Sequence, residues 1–375
     1  MDKRVESIDI LRGLVIALMI VDHVREYFFL GIPLSDPMNI NTTPFMIFFD
    51  RFLAHFCAPT FIFLAGVSAY LYEQKRDKKQ LSIFLFKRGL FLMLLEIFVI
   101  NFAWPFPLPP SMIYLQVIWV IGFSMMCLSV IIWFPRYVTI LISLFLVAGQ
   151  HFFSGVTFDL ELGKYIWSLL YDRNVLELTS NISVRTSYPI LPWIGVISLG
   201  YLYGYIFTNQ IDTSKRNKIL AISSVLCFSI FIIFRFFNIY GETIPFILNS
   251  NDFVVTIMSF FNVTKYPPSF LFVMITLSGS FFCLRYIDKL YSSIKKILLN
   301  FGRVPLFYYI LHLYILRITH TIVTYLFVEP NYHANNKSAI FIWLISLIVL
   351  TFSYPIVLWL VKVKSNSKNK LLSYL

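Results

Sequence analysis

Hydrophobic residues occur along this chain in long runs separated by short polar connections. Runs of about 20 apolar residues have the length that an α-helix needs to cross a membrane. We therefore predict an all-α, polytopic membrane bundle that forms a single domain over residues 1–375. The predicted helices number about ten and lie near residues 9–30, 52–72, 82–104, 112–134, 137–154, 188–209, 217–237, 266–286, 304–327 and 339–361.

The basic residues are distributed unevenly between the connections. The N-terminus and the connections after even-numbered helices hold most of them, for example Lys75, Arg76 and Arg216, whereas odd connections hold few, such as Lys164 and Lys265. The positive-inside rule then predicts that both termini are cytoplasmic in a multi-pass protein of the cell membrane.

Composition agrees with a membrane protein. Hydrophobic residues make up 58% of the chain and charged residues 13%, against about 25% charged in soluble domains. The net charge of +12 arises in short loops, so we expect the lipid bilayer as a partner and no nucleic acid. Three outer connections are long, near 31–51, 155–187 and 238–265, and we expect a short amphipathic helix over 160–172.

The first predicted helix contains an unusual set of polar residues. Its sequence LRGLVIALMIVDHVREYFFL carries Arg12, Asp22, His23, Arg25 and Glu26, although an ionised side chain at mid-membrane costs about 2.5–3.5 kcal/mol. At about 100° per residue, Arg12 and His23 share one helix face and lie about 16 Å apart. This face is expected to line a protein interior or a water-filled cavity.

Arg12 and His23 each have a structural and a functional interpretation, and both stay open. Asp9 can pair with Arg12 at i+3, and Arg12 can extend to the inner surface or bind a phosphate or carboxylate. His23 can be a hydrogen-bonded core residue, or a general base oriented by the neighbouring Asp22.

Further polar residues occur at three other predicted helix segments. Arg51 and His55 lie in DRFLAHFCAPTFIFLAG, and His55 is either an interfacial residue or a second catalytic histidine facing the same vestibule. Arg303 and His312 lie in GRVPLFYYILHLYI, where His312 can form an interhelical hydrogen bond. Trp193 in YPILPWIGV is either an interface anchor or a platform for a sugar.

Other kinds of chemistry lack their sequence signatures. The four cysteines lie inside apolar runs without CxxC spacing, so we expect buried hydrophobic residues and no disulfide or metal site. A P-loop, a dinucleotide fingerprint and a lipase-type GxSxG are also absent from the sequence.

Four segments resemble the bacterial relatives of heparan-α-glucosaminide N-acetyltransferase. They are VESIDILRGLVIALMIVDH, HFCAPTFIFLAG, LPWIGVISLGYLYG and GRVPLFYYILHLYI. The Arg12-x10-His23 spacing is also similar to a motif of the broader integral-membrane acyltransferase superfamily. In the lysosomal enzyme the proposed active histidine lies in the first luminal loop, but this chain has no histidine between Val24 and Arg51.

The resemblance implies transfer of an acetyl or other acyl group from cytoplasmic acetyl-CoA to an amino sugar or glycan hydroxyl on the far side. It points to His23 as the catalytic residue, with His55 and Asp22 as further catalytic candidates. The expected acceptor-binding residues are Trp193, Glu26 and Arg51. The residues expected to bind acyl-CoA are Arg12, Lys87, Arg88, Arg303 and His312.

A transporter or flippase for a polar solute is the alternative, with the same histidines as a proton relay. The sequence shows no paired broken helices of the kind that many transporters contain. CoA binding would separate the two functions. The acceptor, the acyl chain length and the assembly, which could include a homodimer, stay open.

Overall fold

The computed structural model describes residues 5–28, 38–104, 111–249, 251–327 and 339–367. Within these residues the chain is predominantly helical. The α-helices are α1 Glu6–Phe28, α2 Phe45–His55, α3 Cys57–Glu73, α4 Lys78–Leu95, α5 Val117–Ile131, α6 Arg136–Ala148, α7 Glu161–Leu170, α8 Leu191–Tyr203, α9 Thr213–Phe236, α10 Phe253–Phe261, α11 Phe270–Tyr286, α12 Ser292–Arg303, α13 Pro305–Phe327 and α14 Ala339–Asn366.

Six helical segments within the described ranges are long and apolar enough to cross a membrane. They are Phe45–Glu73, Arg136–Phe153, Thr213–Phe236, Phe270–Lys289, Pro305–Leu326 and Ile340–Asn366. Each overlaps a predicted span, so the multi-pass class is confirmed. The other four predicted spans also contain helix. Charged residues lower the hydropathy of α1 and α4, and α5 and α8 are short. The count of about ten and the cytoplasmic termini stay predictions.

A small sheet corrects the expectation of a purely helical chain. The strands β1 Met112–Leu115, β2 Val175–Thr179 and β3 Ile182–Thr186 pair in the order β1-β3-β2. β1 is parallel to β3, and β2 is antiparallel to it. The predicted span 112–134 thus begins as a strand, since its Met112–Leu115 segment bonds to β3. After β3, the amide of Ser187 donates to the carbonyl of Leu115 at 3.1 Å, which fixes the backbone just before Tyr188.

The long outer connections contain short helices of their own. α7 confirms the helix expected within 160–172, and α10 lies within the third connection. Residues 29–37 of the first connection lie outside the described residues.

α1 lies at the centre of the bundle, where it packs against α2, α3, α11, α12, α13 and α14. It crosses α12 at two glycines. A Cβ on Gly13 would lie 1.9 Å from the carbonyl oxygen of Leu298, and one on Gly302 would lie 1.7 Å from that of Asp9. Only glycine permits so close an approach of two helix backbones. The crossing brings Arg303, which follows Gly302, next to the start of α1.

Candidate active site

An elongated cavity of about 540 Å³ runs along α1. Arg12 and His23 both line it, so it extends about 16 Å along the helix axis. This confirms that the two residues share a face turned to an internal space. The remaining walls come from α2, α3, α4, α5, α12, α13 and α14 and from the connections before α8 and α11.

One end of the cavity is basic. Arg12, Arg88, Arg303 and Lys364 line it. Arg12 pairs with Asp9 at 3.0 Å, as predicted, and also donates to the Ser68 hydroxyl at 2.6 Å. We call this end the basic mouth. Four cations at one opening create a positive potential that attracts anions such as phosphates.

The middle of the cavity is lined on several sides by apolar side chains, some of them small. Met19, Ala58, Ala65, Leu92 and Ile118 line it. Such a wall suits an extended, weakly polar chain and offers few groups that could hold a charge.

His23 ends the cavity and is held by a second histidine behind it. Its Nδ1 lies 2.6 Å from Nε2 of His312, and His312 Nδ1 lies 2.7 Å from the carbonyl oxygen of Tyr308. A carbonyl only accepts, so Nδ1 of His312 carries a hydrogen. With both rings neutral, His312 Nε2 accepts from His23 Nδ1–H. His23 Nε2 is then left with a lone pair, as a general base requires.

The expected contribution of Asp22 to this arrangement is wrong. Its carboxylate accepts from Arg25 at 2.5 Å and from Arg51 at 2.7 Å, and Glu26 lies 3.9 and 3.8 Å from the same two guanidinium groups. Consecutive residues of a helix point about 100° apart, so Asp22 does not face the ring of His23. Asp22 lines the cavity beside His23 as part of a charged cluster.

Several other predicted site residues lie away from the cavity lining. His55 is buried between the rings of Phe52 and Phe272, and neither of its nitrogens has a hydrogen-bond partner among the described residues. Trp193 is fully buried against Tyr188 and Phe272. Its ring therefore offers no open face to a sugar and is not an interface anchor, because aromatic neighbours cover it.

The structure also separates the residues that we expected to bind acyl-CoA. Arg12, Arg88 and Arg303 line the cavity, whereas Lys87 is exposed outside it. His312 lies behind His23 and not on the cavity wall.

Three cavity-lining residues near His23 were missed from the sequence. They are Tyr188, Lys265 and Tyr309. In the sequence Lys265 is one of several cations in predicted loops, and the tyrosines are two of 22 in the chain. No local spacing pattern distinguishes them, because they come from three distant parts of the sequence. In the described part of the chain, no cluster of His, Cys, Asp and Glu could hold a metal ion.

The fold and the site define a multi-pass membrane protein whose internal cavity leads from a cationic mouth to a buried histidine pair. The family model described as heparan-alpha-glucosaminide N-acetyltransferase, catalytic, matches residues 4–229, more than half of the 375 residues. The chain belongs to this family, which makes it a membrane acetyltransferase by family. The match includes His23 but ends before Lys265 and His312. No curated protein matches the chain.

Proposed function

We propose that this protein transfers an acetyl group from cytoplasmic acetyl-CoA to an amino sugar or a glycan hydroxyl on the opposite side of the membrane. The observation that carries the proposal is the single cavity that joins Arg12, Arg88 and Arg303 to His23. An acyl-CoA has the same order of chemistry along its length: phosphates, an extended arm and a reactive thioester.

Each part of acetyl-CoA has a matching part of the cavity. The phosphates would bind the basic mouth, where arginine forks form charge-assisted hydrogen bonds. The pantetheine arm would lie against the apolar middle, and the thioester would reach His23. Because the pantetheine arm passes through protein, the charged nucleotide need not enter the membrane.

The chemistry needs one base. His23 Nε2 takes the proton of the acceptor amine or hydroxyl as its nitrogen or oxygen attacks the thioester carbonyl carbon. The carbonyl electron pair moves to oxygen, and its return breaks the C–S bond. The CoA thiolate then takes the proton from His23, so that the products are the acetylated acceptor and CoA.

A two-step route through an acetyl-histidine uses the same residues. His23 Nε2 would first attack the thioester and release CoA, and the acceptor would then attack the acetyl-imidazole. In both routes the His312 contact orients the ring so that Nε2 faces the substrate.

The test is acetyl transfer by detergent-purified protein from radiolabelled acetyl-CoA to glucosamine and mixed glycans. We expect turnover by the wild type, none by His23→Ala, and normal turnover by His151→Gln, a histidine outside the cavity that packs on Tyr240. Acetyl-CoA binding by His23→Ala should persist, because the basic mouth is unchanged. Near-normal turnover by His23→Ala would refute the assignment of the base.

The transporter alternative makes the opposite prediction for CoA. A transporter for a polar solute has no need of the donor, so the absence of both acetyl-CoA binding and turnover would favour it over the acetyltransferase.

A further inference from the structure

The end of the cavity at His23 holds hydrogen-bond donors for which no described residue provides an acceptor. Lys265, Tyr309 and Tyr188 line it with His23. We propose that the Lys265 ammonium and the Tyr309 hydroxyl, assisted by the Tyr188 hydroxyl, form the site that stabilises the negative charge on the thioester carbonyl oxygen during transfer. This inference rests on the proposed function and names the groups that would serve as its oxyanion site.

Lys265 is a nearly buried cation that forms no ion pair with any described residue; Asp22, which lines the same cavity and attracts it electrostatically, is held by Arg25 and Arg51. Lys265 is 8% exposed, and no carboxylate lies within ion-pair distance of it among the described residues. The rings of Tyr188 and Tyr266 lie 5.8 and 5.2 Å from its Nζ and compensate only part of the desolvation cost. A buried charge that faces a cavity and forms no ion pair with the described residues is expected to bind negative charge on the ligand.

The backbone around Lys265 is fixed in place. Glu242 accepts hydrogen bonds from the Thr264 amide at 3.0 Å, the Thr264 hydroxyl at 2.5 Å and the Ser269 hydroxyl at 2.7 Å. Ser269 in turn accepts from the Phe272 amide at 2.9 Å at the start of α11. A donor whose backbone is anchored on both sides loses little freedom when it binds developing charge.

Tyr309 contributes a hydroxyl next to the base. Its ring packs edge-on against His23 and His312, with centroids 5.9 and 5.6 Å apart. No described residue accepts a hydrogen bond from its hydroxyl, whereas Tyr308 bonds to Ser353 and Tyr314 bonds to the Val99 carbonyl. The hydroxyl of Tyr309 is therefore available to a group in the cavity.

Tyr188 completes the set. Its oxygen accepts a hydrogen bond from Tyr266 at 3.2 Å, so its own hydrogen is directed elsewhere. No other described residue accepts that hydrogen, and Tyr188 lines the cavity. Two phenols and one ammonium thus surround the place where the acceptor, the thioester and His23 would meet, and the acetyl oxygen is the atom there that gains negative charge in either route.

The first part of the test is kinetic. We expect Tyr309→Phe and Lys265→Met each to lower kcat about 10²- to 10³-fold, as loss of one oxyanion donor does. The KM for acetyl-CoA should change by no more than about twofold, because these donors bind the oxyanion of the transition state much more strongly than the ground-state carbonyl. Tyr314→Phe is the matched control on α13, since its hydroxyl bonds to Val99 away from the cavity.

The second part needs no turnover. A ¹³C-carbonyl ketone analogue of acetyl-CoA, with a methylene in place of the thioester sulfur, is bound to the protein and examined by infrared difference spectroscopy. We expect its carbonyl band to shift to lower wavenumber in the wild type and in Tyr314→Phe. The band should return toward its value in water in Tyr309→Phe and Lys265→Met.

Each outcome decides the proposal. An unchanged kcat together with an unchanged band shift in both variants would overturn it. An unshifted band in the wild type would also overturn it. In both cases the acetyltransferase assignment would still be supported by measured acetyl transfer. If the analogue does not bind at all, both the oxyanion site and the acetyl-CoA-dependent function would be overturned. Tyr309→Phe removes one oxygen and keeps the ring, so it tests the site even if Lys265→Met does not fold.

Discussion

His23 and His312 are 289 residues apart in sequence, yet their ring nitrogens lie 2.6 Å apart. The contact joins α1 to α13 at the end of the cavity. Because His312 is itself bonded to the carbonyl of Tyr308 at 2.7 Å, its available nitrogen is an acceptor. His312 thereby fixes both the orientation and the tautomer of His23.

The first prediction concerns this contact. His312→Leu removes the acceptor, so His23 can rotate and present the wrong nitrogen. We expect kcat to fall about 10²- to 10⁴-fold, the range of a general base, with the KM for acetyl-CoA nearly unchanged. His312→Gln, whose amide oxygen can still accept from His23, should restore part of the rate. Equal activity of the Leu and Gln variants would show that His312 acts through packing alone.

The second prediction concerns the basic mouth. Arg303→Gln and Arg88→Gln should raise the KM for acetyl-CoA about 10- to 100-fold, since a hydrogen bond to a charged group contributes about 1.5–3 kcal/mol. The same variants should treat acetyl-pantetheine like the wild type, because this donor lacks the nucleotide phosphates. An equal rise in KM for acetyl-CoA and acetyl-pantetheine would show that the phosphates bind elsewhere.

The third prediction separates stability from catalysis. Asp22→Asn leaves Glu26, at 3.9 and 3.8 Å, as the carboxylate that the described residues offer to the guanidinium groups of Arg25 and Arg51. Uncompensated buried charge costs about 3–5 kcal/mol, so the midpoint of thermal unfolding should fall clearly. Arg51→Met should have a smaller effect, because Arg25 still binds Asp22 at 2.5 Å. The prediction fails if Asp22→Asn melts like the wild type.

The fourth prediction concerns the crossing of α1 and α12. Gly302→Ala places a methyl group 1.7 Å from the Asp9 carbonyl oxygen, which forces the helices apart and moves Arg303. We expect lower thermal stability together with weaker acetyl-CoA binding. Gly149→Ala is the control, because its methyl group would meet side chains and no backbone: Phe145 at 3.1 Å and Phe152 at 3.6 Å. Equal behaviour of the two variants would contradict the proposed importance of the crossing.

The sequence predicted the parts of the site that depend on one helix. The spacing of Arg12 and His23 placed both on one face, and Asp9 pairs with Arg12 as i, i+3 geometry expects. The amphipathic helix within 160–172 and the multi-pass class followed from hydrophobic patterning alone. These features are local, so a few adjacent residues determine them.

The remaining parts depend on contacts between distant segments. His312 was recognised as a polar residue of its helix, but its partner lies 289 residues away. The sequence predicts Asp22 as the partner of His23, but a tertiary contact pairs Asp22 with Arg51 instead. Trp193 lies at the start of a predicted span, a position typical of an interface anchor, but packing by Tyr188 and Phe272 buries it. Lys265 carries no local signal at all.

The most direct test of the account is sided transfer in proteoliposomes of known orientation. Acetyl-CoA is supplied on the side to which the basic mouth opens, and glucosamine is supplied on the other side. We predict acetylated glucosamine on the acceptor side, none with acetyl-CoA on the wrong side, and none with His23→Ala. Product that forms equally from acetyl-CoA on either side, or that persists in His23→Ala, would contradict a cavity that delivers the acetyl group to His23 from one face of the membrane.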